Sequence, residues 1–314
     1  MKPKQKFIAA AVQCSPVFLD VKKTIDKIES LVKEAHKNKA ELIAFPEAII
    51  PAYPYWIWTD SPFKWEKQFG NNFFENCLEI DSINTKRLCK IAKSYKSYLI
   101  IGVSEREGGT IYNSQLFISE KGTLDGVHRK LIPTFAERSI WGRGDGSTLN
   151  TYKTTFGVIG GLICGEHHMP LARYALLLEG EEIHISSFPG FSFKRAILPY
   201  IGDIAVRNHA IEGQVFVINS TSHLSQELLD QMFETDVQRY FFEKNGGGFS
   251  SIINPLGSYI AGPLKDKEGI LYAEINKDEI YSAKRYIDTT GHYSRPDILR
   301  LHLNKSRQKN LYTE

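Results

Sequence analysis

Cys164 has the setting in this sequence that best suits covalent chemistry. An apolar run, Val158 to Cys164, reads as a buried strand that delivers it. Gly165 follows at once, and a helix is predicted from Pro170. A strand-to-helix turn can hold a side chain in a sharp, exposed position, and glycine permits a backbone that other residues resist. The positive end of the coming helix would favour a thiolate, the reactive form of the thiol. The competing reading is one more small, buried, inert hydrophobe. His167 and His168 beside it raise metal binding. Adjacent histidines point in different directions on any regular element, though, and structural zinc needs four ligands at tighter spacing. No metal is expected.

Other candidates lie far away in sequence. Glu47, in Phe45-Pro46-Glu47-Ala48, sits just past a strand too apolar to be a surface element. It is paired, exposed on the loop, or part of a site, and alone it means little. Lys130, in Val127-His128-Arg129-Lys130-Leu131, carries the same ambiguity. Glu137 and Trp141 fall in a loop ending Gly142-Arg143-Gly144-Asp145-Gly146, which lacks the lysine and spacing of a phosphate-binding loop.

These residues must be positioned by an alternation of strands and helices. Strands are predicted at Phe7 to Gln13, Leu42 to Phe45, Tyr98 to Val103, Ile111 to Ile118, Val158 to Cys164 and Ile183 to Ser186. Val215 to Asn219, Ser250 to Asn254 and Ile270 to Ile275 complete the set. Asp20 caps a helix whose apolar positions Val21, Ile25, Ile28, Leu31, Val32 and Ala35 trace one face. Further helices are expected at Ile83 to Ser94, Pro170 to Glu179 and Arg195 to Glu212, the last despite Pro199. No internal repeat or Ser/Pro-rich linker marks a boundary, so one mixed α/β domain is expected, followed by a polar tail from about Tyr286.

Composition narrows the class of partner. Of 314 residues, 42% are hydrophobic and 24% charged, the balance of a folded globular chain. Lys and Arg (39) nearly cancel Asp and Glu (36), and the resulting +3 is too small for a nucleic-acid footprint. No apolar stretch reaches the roughly 20 residues that cross a bilayer. The basic start gives way to a run, Phe7 to Val12, shorter than a secretory core, and it reads as a strand. Four cysteines without CxxC spacing point to a reduced, cytoplasmic setting.

Taken together, the segments resemble the nitrilase (carbon-nitrogen hydrolase) superfamily, and its nitrilase branch more than its amidases. A glutamate motif is matched at Phe45-Pro46-Glu47, a lysine motif at His128-Arg129-Lys130-Leu131, and a cysteine motif at Cys164-Gly165-Glu166-His167-His168-Met169-Pro170. Branch-level matches are Glu137-Arg138-Ser139-Ile140-Trp141-Gly142, Asp145-Gly146-Ser147 and Gly291-His292-Tyr293-Ser294-Arg295-Pro296-Asp297. The likeness runs from about Phe7 to Leu301. It implies an αββα four-layer sandwich as a single domain over residues 1–285, with residues 286–314 as a tail at a subunit interface. It also implies no cofactor, a homo-dimer or higher homo-oligomer, and catalysis by Glu47, Lys130 and Cys164. At Gly165 the sequence departs from the tryptophan that many nitrilases carry, which removes bulk beside the nucleophile.

On that resemblance, a small organic nitrile is the expected substrate and the carboxylic acid and ammonia the products. Glu47 would be the base, Lys130 the electrostatic stabiliser, and Cys164 the nucleophile that forms a thioimidate and then a thioester. Lys130 and the Gly165 N–H would face the charge that develops on the intermediate. Glu137 would orient Lys130 or the substrate, its structural alternative being an ion pair with Arg138 or Arg143. Tyr53, Trp141, His167, Phe188 and Phe191 are the expected pocket residues, with His167 and His168 positioning loops rather than shuttling protons. The alternatives are an amidase or cyanide hydrolase with the same mechanism, or a non-catalytic scaffold.

Overall fold

A computed structural model describes residues 3–190, 198–240, 242 and 247–308. The first half of the chain runs through β1 (Lys6–Gln13), α1 (Val21–Lys37), β2 (Ala40–Ala44), α2 (Pro62–Trp65), α3 (Asn71–Asn76) and α4 (Ile83–Tyr95). It continues through β3 (Tyr98–Glu107), β4 (Thr110–Ile118), β5 (Leu124–Arg129), β6 (Trp141–Gly142) and β7 (Tyr152–Thr154). The second half holds β8 (Gly157–Ile163), α5 (Pro170–Leu178), β9 (Ile183–Phe188), α6 (Leu198–Gly213) and β10 (Phe216–Thr221). It ends with α7 (Gln226–Met232), α8 (Asp236–Tyr240), β11 (Ser250–Ile253), β12 (Tyr259–Leu264), β13 (Gly269–Asn276) and α9 (Asp278–Lys284).

Two mixed sheets result, ordered β13-β1-β2-β3-β4-β5, with β6 beside β4, and β12-β11-β10-β9-β8-β7. Period-two alternation assigns each strand's two faces to different layers. Ala9, Ala11, Leu42, Ala44, Tyr98, Ile100 and Phe117 face Ile159, Ile183, Ile185, Phe216 and Ile218 between the sheets. Their neighbours Ala10, Val12, Ile43, Leu99, Ile101 and Leu116 pack under α1 and α4. On the far side Ile163, Val217 and Ile253 pack against Leu177, Val206 and Ala210 of α5 and α6. The order is helix, sheet, sheet, helix.

Strand direction explains why distant residues meet. β2 and β3 are parallel, β4 runs back, and β5 is antiparallel to β4, so β5 points the same way as β2. Glu47 follows β2 and Lys130 follows β5, which brings both side chains to one edge of the sheet.

Asp20 caps α1 by accepting from the Lys23 N–H at 2.9 Å. Pro199 does not interrupt a helix, because α6 begins at Leu198 and places the proline in its first turn, where no N–H is needed. Positions 195–197 of the expected helix lie outside the described residues. The predicted strand ending at Cys164 stops one residue earlier. β5, β7 and β12 were not expected, since their sequences are too polar or short for a clean alternation.

Candidate active site

Cys164 opens a 3₁₀ turn, Cys164–His168, directly after β8. Its own φ is +48°, a left-handed conformation uncommon for any residue with a Cβ. The strained residue is therefore the cysteine itself, and not Gly165 as the sequence suggested. Glycine is needed there for space: a Cβ at Gly165 would lie 2.7 Å from Thr134 Oγ1. The turn is backed by Glu166, a buried carboxylate that accepts the N–H of Ile163 at 2.8 Å and of Leu131 at 2.8 Å. His128 donates to the same carboxylate at 2.9 Å through Nε2, and its Nδ1 donates to the Thr148 carbonyl. Glu166 thus ties the lysine segment to the cysteine turn.

Glu47 is wholly buried. Its Oε1 accepts from Lys130 Nζ at 2.9 Å and from Asn113 Nδ2 at 2.6 Å. Its Oε2 has no hydrogen-bond partner among the described residues. Gly102 lets β3 pass close to this loop, because a Cβ there would overlap the Pro46 carbonyl and lie 2.7 Å from Glu47 Cα. Lys130, also fully buried, reaches Glu137 Oε2 at 2.7 Å. Glu137 accepts in addition from the Tyr53 hydroxyl at 2.8 Å and the Thr134 N–H at 2.6 Å. Its partner cation is therefore Lys130 rather than Arg138 or Arg143 among the described residues.

Charge follows from this packing. Burial pushes the Glu47 carboxyl up to about 7, with Lys130 opposing and Glu137 reinforcing the rise. Burial disfavours the Lys130 cation, but Glu137 and Glu47 outweigh it and hold its pKa well above the usual lysine value. The Cys164 thiol is pushed well up by burial and by the Glu47 charge, against the pull of Lys130 and of the Gly165 N–H at the sulfur. The resting sulfur is a thiol, not the helix-stabilised thiolate expected from sequence. α5 begins only at Pro170, a full turn away, and a helix dipole fades over such a distance. A buried thiol beside a carboxylate with one free oxygen can give up its proton as it attacks an electrophile.

The expected pocket residues separate into groups. Tyr53 packs its ring on Tyr55 and Trp141, with centroids 4.6 and 5.5 Å apart. Trp141 donates to Ser104 Oγ at 3.2 Å. Phe188 ends β9 in the cluster that holds Cys164. Phe191 lies outside the described residues. His167 is buried and stacked on Phe188, and both of its ring nitrogens are taken. Nδ1 donates to the Cys164 carbonyl at 2.8 Å, and Nε2 lies 2.9 Å from His184 Nε2.

Sequence reasoning passed over several of these groups. Asn113 and Thr134 carry no signal in a single sequence. His184, His209 and Glu181 are scattered along the chain, yet they gather behind His167. One ligand-capable atom of each of the three lies within 4.8 Å of the others. They also bond to each other: Glu181 Oε1 is 2.8 Å from His184 Nδ1, and Oε2 accepts from His209 Nε2 at 2.8 Å.

Residues 8–285 match the family profile described as carbon-nitrogen hydrolase. An aliphatic nitrilase of Rhodococcus rhodochrous is 42% identical over 304 residues, 95% of this chain and 83% of that protein. A nitrilase of Pseudomonas syringae pv. syringae (strain B728a) is 39% identical, across 96% of this chain and 90% of its own. Among solved structures, a carbon-nitrogen hydrolase from Helicobacter pylori G27 superposes with a TM-score of 0.74 at 24% identity, covering 93% of this chain and 96% of that one. Saccharomyces cerevisiae Nit3, a member of branch 10 of the nitrilase superfamily, gives 0.72 at 21% identity, with 93% and 99% covered. These two likenesses establish the fold.

Proposed function

The chain belongs to the carbon-nitrogen hydrolase family, on its nitrilase branch, and from that premise we propose that it hydrolyses an organic nitrile to the carboxylic acid and ammonia. The observation that carries the mechanism is the buried Glu47 carboxylate. Lys130 and Asn113 hold one of its oxygens, and the other is left free in the field of Cys164.

In this reading Cys164 attacks the nitrile carbon while its proton passes to Glu47, which delivers it to the nitrogen to give a thioimidate. Glu47 then takes a proton from water as the water adds to that carbon. The tetrahedral intermediate expels ammonia, leaving a thioester. A second water, activated in the same way, releases the acid and restores the thiol. Lys130 Nζ and the Gly165 N–H face the charge that appears on the nitrogen and then the oxygen; one such donor contributes about 3 kcal/mol to a transition state. Glu137 keeps Lys130 protonated and aimed. Tyr53, Trp141 and Phe188 are the apolar wall for the substrate.

An assay with mandelonitrile-type, aliphatic and cyanide substrates beside the matching amides tests the reading. Faster turnover of amides than of every nitrile would make the enzyme an amidase. No turnover and no covalent labelling that Cys164→Ala abolishes would make it a scaffold.

A homo-oligomer is part of the same proposal, with the tail (286–314) at a subunit interface. The exposed Leu171, Leu178, Tyr200, Ile204 and Ile211 of α5 and α6 support it. No helix among the described residues is long and apolar enough to cross a membrane. The four cysteines stand unpaired, which supports a reducing, cytoplasmic setting.

A further inference from the structure

Behind the nucleophile, four buried contacts join into one chain: Cys164 carbonyl to His167, His167 to His184, His184 to Glu181, and Glu181 to His209. Each is 2.8 or 2.9 Å long, and each is a hydrogen bond only if one proton lies between its two atoms. Four contacts therefore require four protons. Three neutral imidazoles and a carboxylate supply three, one per ring. The remaining ring nitrogen, His209 Nδ1, has no partner among the described residues, so a proton there would be a buried donor without an acceptor.

The direction of each bond can be followed from one end. A carbonyl oxygen only accepts, so His167 Nδ1 carries a proton. Burial and the neighbouring His184 hold His167 well below the usual histidine pKa, so its ring is neutral and its Nε2 is a lone pair. His184 Nε2 must then donate. That leaves His184 Nδ1 against Glu181 Oε1 with the extra proton between them, as imidazolium and carboxylate or as imidazole and acid.

We propose that the Glu181–His184 pair holds this fourth proton at neutral pH, and that the completed chain is a positioning device that locks the left-handed turn presenting the Cys164 sulfur. The charged groups facing it are Arg173 of α5, which acts on both His167 and His184 and is ion-paired to Glu212 of α6, and His209 from α6. Gly160 of β8 makes room for the carboxylate, since a Cβ there would collide with Glu181 Oε1.

Burial and His209 draw His184 down to about 4, and although burial opposes it, Glu181 is held down near 2 by its two histidines. Taken one at a time, those directions would strip the proton. Two bare lone pairs would then face each other across 2.9 Å, either at His167–His184 or in an equivalent clash at His184–Glu181. The joint geometry of four satisfied contacts decides for the proton.

Neutron diffraction of the deuterated full-length protein at neutral pH counts the protons directly. Four deuterons, one per contact, are expected. Three deuterons, or a metal ion bound by Glu181, His184 and His209, would overturn the proposal. A second test uses Glu181→Gln, whose amide donates to His184 Nδ1 and accepts from His209, completing all four contacts with neutral rings. Turnover by this variant should stay within about twofold of the parent, while Glu181→Leu should lose about a hundredfold in kcat with KM unchanged. Equal losses in the two variants would sink the idea. The proton count stands by itself, whereas the effect on turnover rests on Cys164 being the nucleophile. The rate of Cys164 alkylation by iodoacetamide, which needs no substrate, separates failure of one from failure of the other. It should follow the same order in the two variants.

Discussion

Glu47 and Lys130 meet at 2.9 Å with neither side chain reaching solvent, and a second carboxylate, Glu137, grips the same ammonium at 2.7 Å. One buried cation thus faces two buried acids. Such an arrangement cannot hold both acids ionised at no cost. The strain falls on Glu47, whose carboxyl titrates near 7. A base poised near the working pH is the condition under which proton transfer is most effective.

The pH dependence follows. Ionised Glu47 is the active form, so kcat/KM should fall as pH drops through about 7. Stability moves the other way. The folded carboxyl ionises later than the unfolded one, so between about 4.5 and about 7 the unfolded chain binds fewer protons and folding weakens as pH rises. Glu47→Gln should lower kcat by roughly a hundred- to ten-thousandfold while removing that slope from a plot of Tm against pH. A variant that keeps the acid limb near 7 would assign it to another group.

Lys130→Met should be harsher on the fold than Glu47→Gln. It leaves Glu47 and Glu137 as two buried carboxylates without a cation, a loss of about 3–5 kcal/mol if both remain charged. The double variant Lys130→Met/Glu47→Gln should recover part of the Tm without recovering activity. Thermal unfolding of the three proteins reads this directly.

The His128–Glu166 pair predicts a stability window. Glu166 is held below its usual range because His128 and two backbone N–H groups outweigh its burial, and its contribution is lost as pH falls through that depressed value. His128 is raised because Glu166 outweighs burial, so its contribution is complete below the ordinary histidine range and is lost as pH rises through the raised value. Glu166→Gln should lower Tm most between those limits and least beyond them. A Tm difference independent of pH would show that the pair is not ionic.

How far the sequence alone could go is set by the range of each interaction. The strands and α1 were legible because short apolar runs and helical spacing are local, as with Phe7 to Val12 in β1 or Ile25, Ile28 and Val32 in α1. Glu47, Lys130 and Cys164 were legible as motifs, but their meeting depends on β5 running in the same direction as β2, and β5 was too polar to be recognised. Groups packed around them, Asn113, His184 and Glu181, arrive from remote segments with no local pattern. The left-handed backbone of Cys164 was misassigned to Gly165 because glycine is the ordinary occupant of that conformation, and only the fold shows that glycine is needed there to clear Thr134.

That clearance yields the last prediction. Thr134 and Glu137 brace the turn between them: the Glu137 N–H donates to the Thr134 carbonyl at 3.0 Å, and the Thr134 N–H donates to Glu137 Oε2 at 2.6 Å. A methyl at residue 165 would press on the Thr134 hydroxyl from 2.7 Å, and a shift of the Thr134 backbone to relieve that contact would loosen the carboxylate that holds Lys130. Gly165→Ala should therefore lower kcat through Glu137 even though the new side chain is small and apolar. Thr134→Ala alone keeps both backbone contacts and should move stability by less than about 0.5 kcal/mol. In the Thr134→Ala background the Gly165→Ala change should be much milder, with a coupling energy of about 0.5–3 kcal/mol in a double-mutant cycle. Additive effects would mean that the methyl acts on the substrate rather than on Thr134.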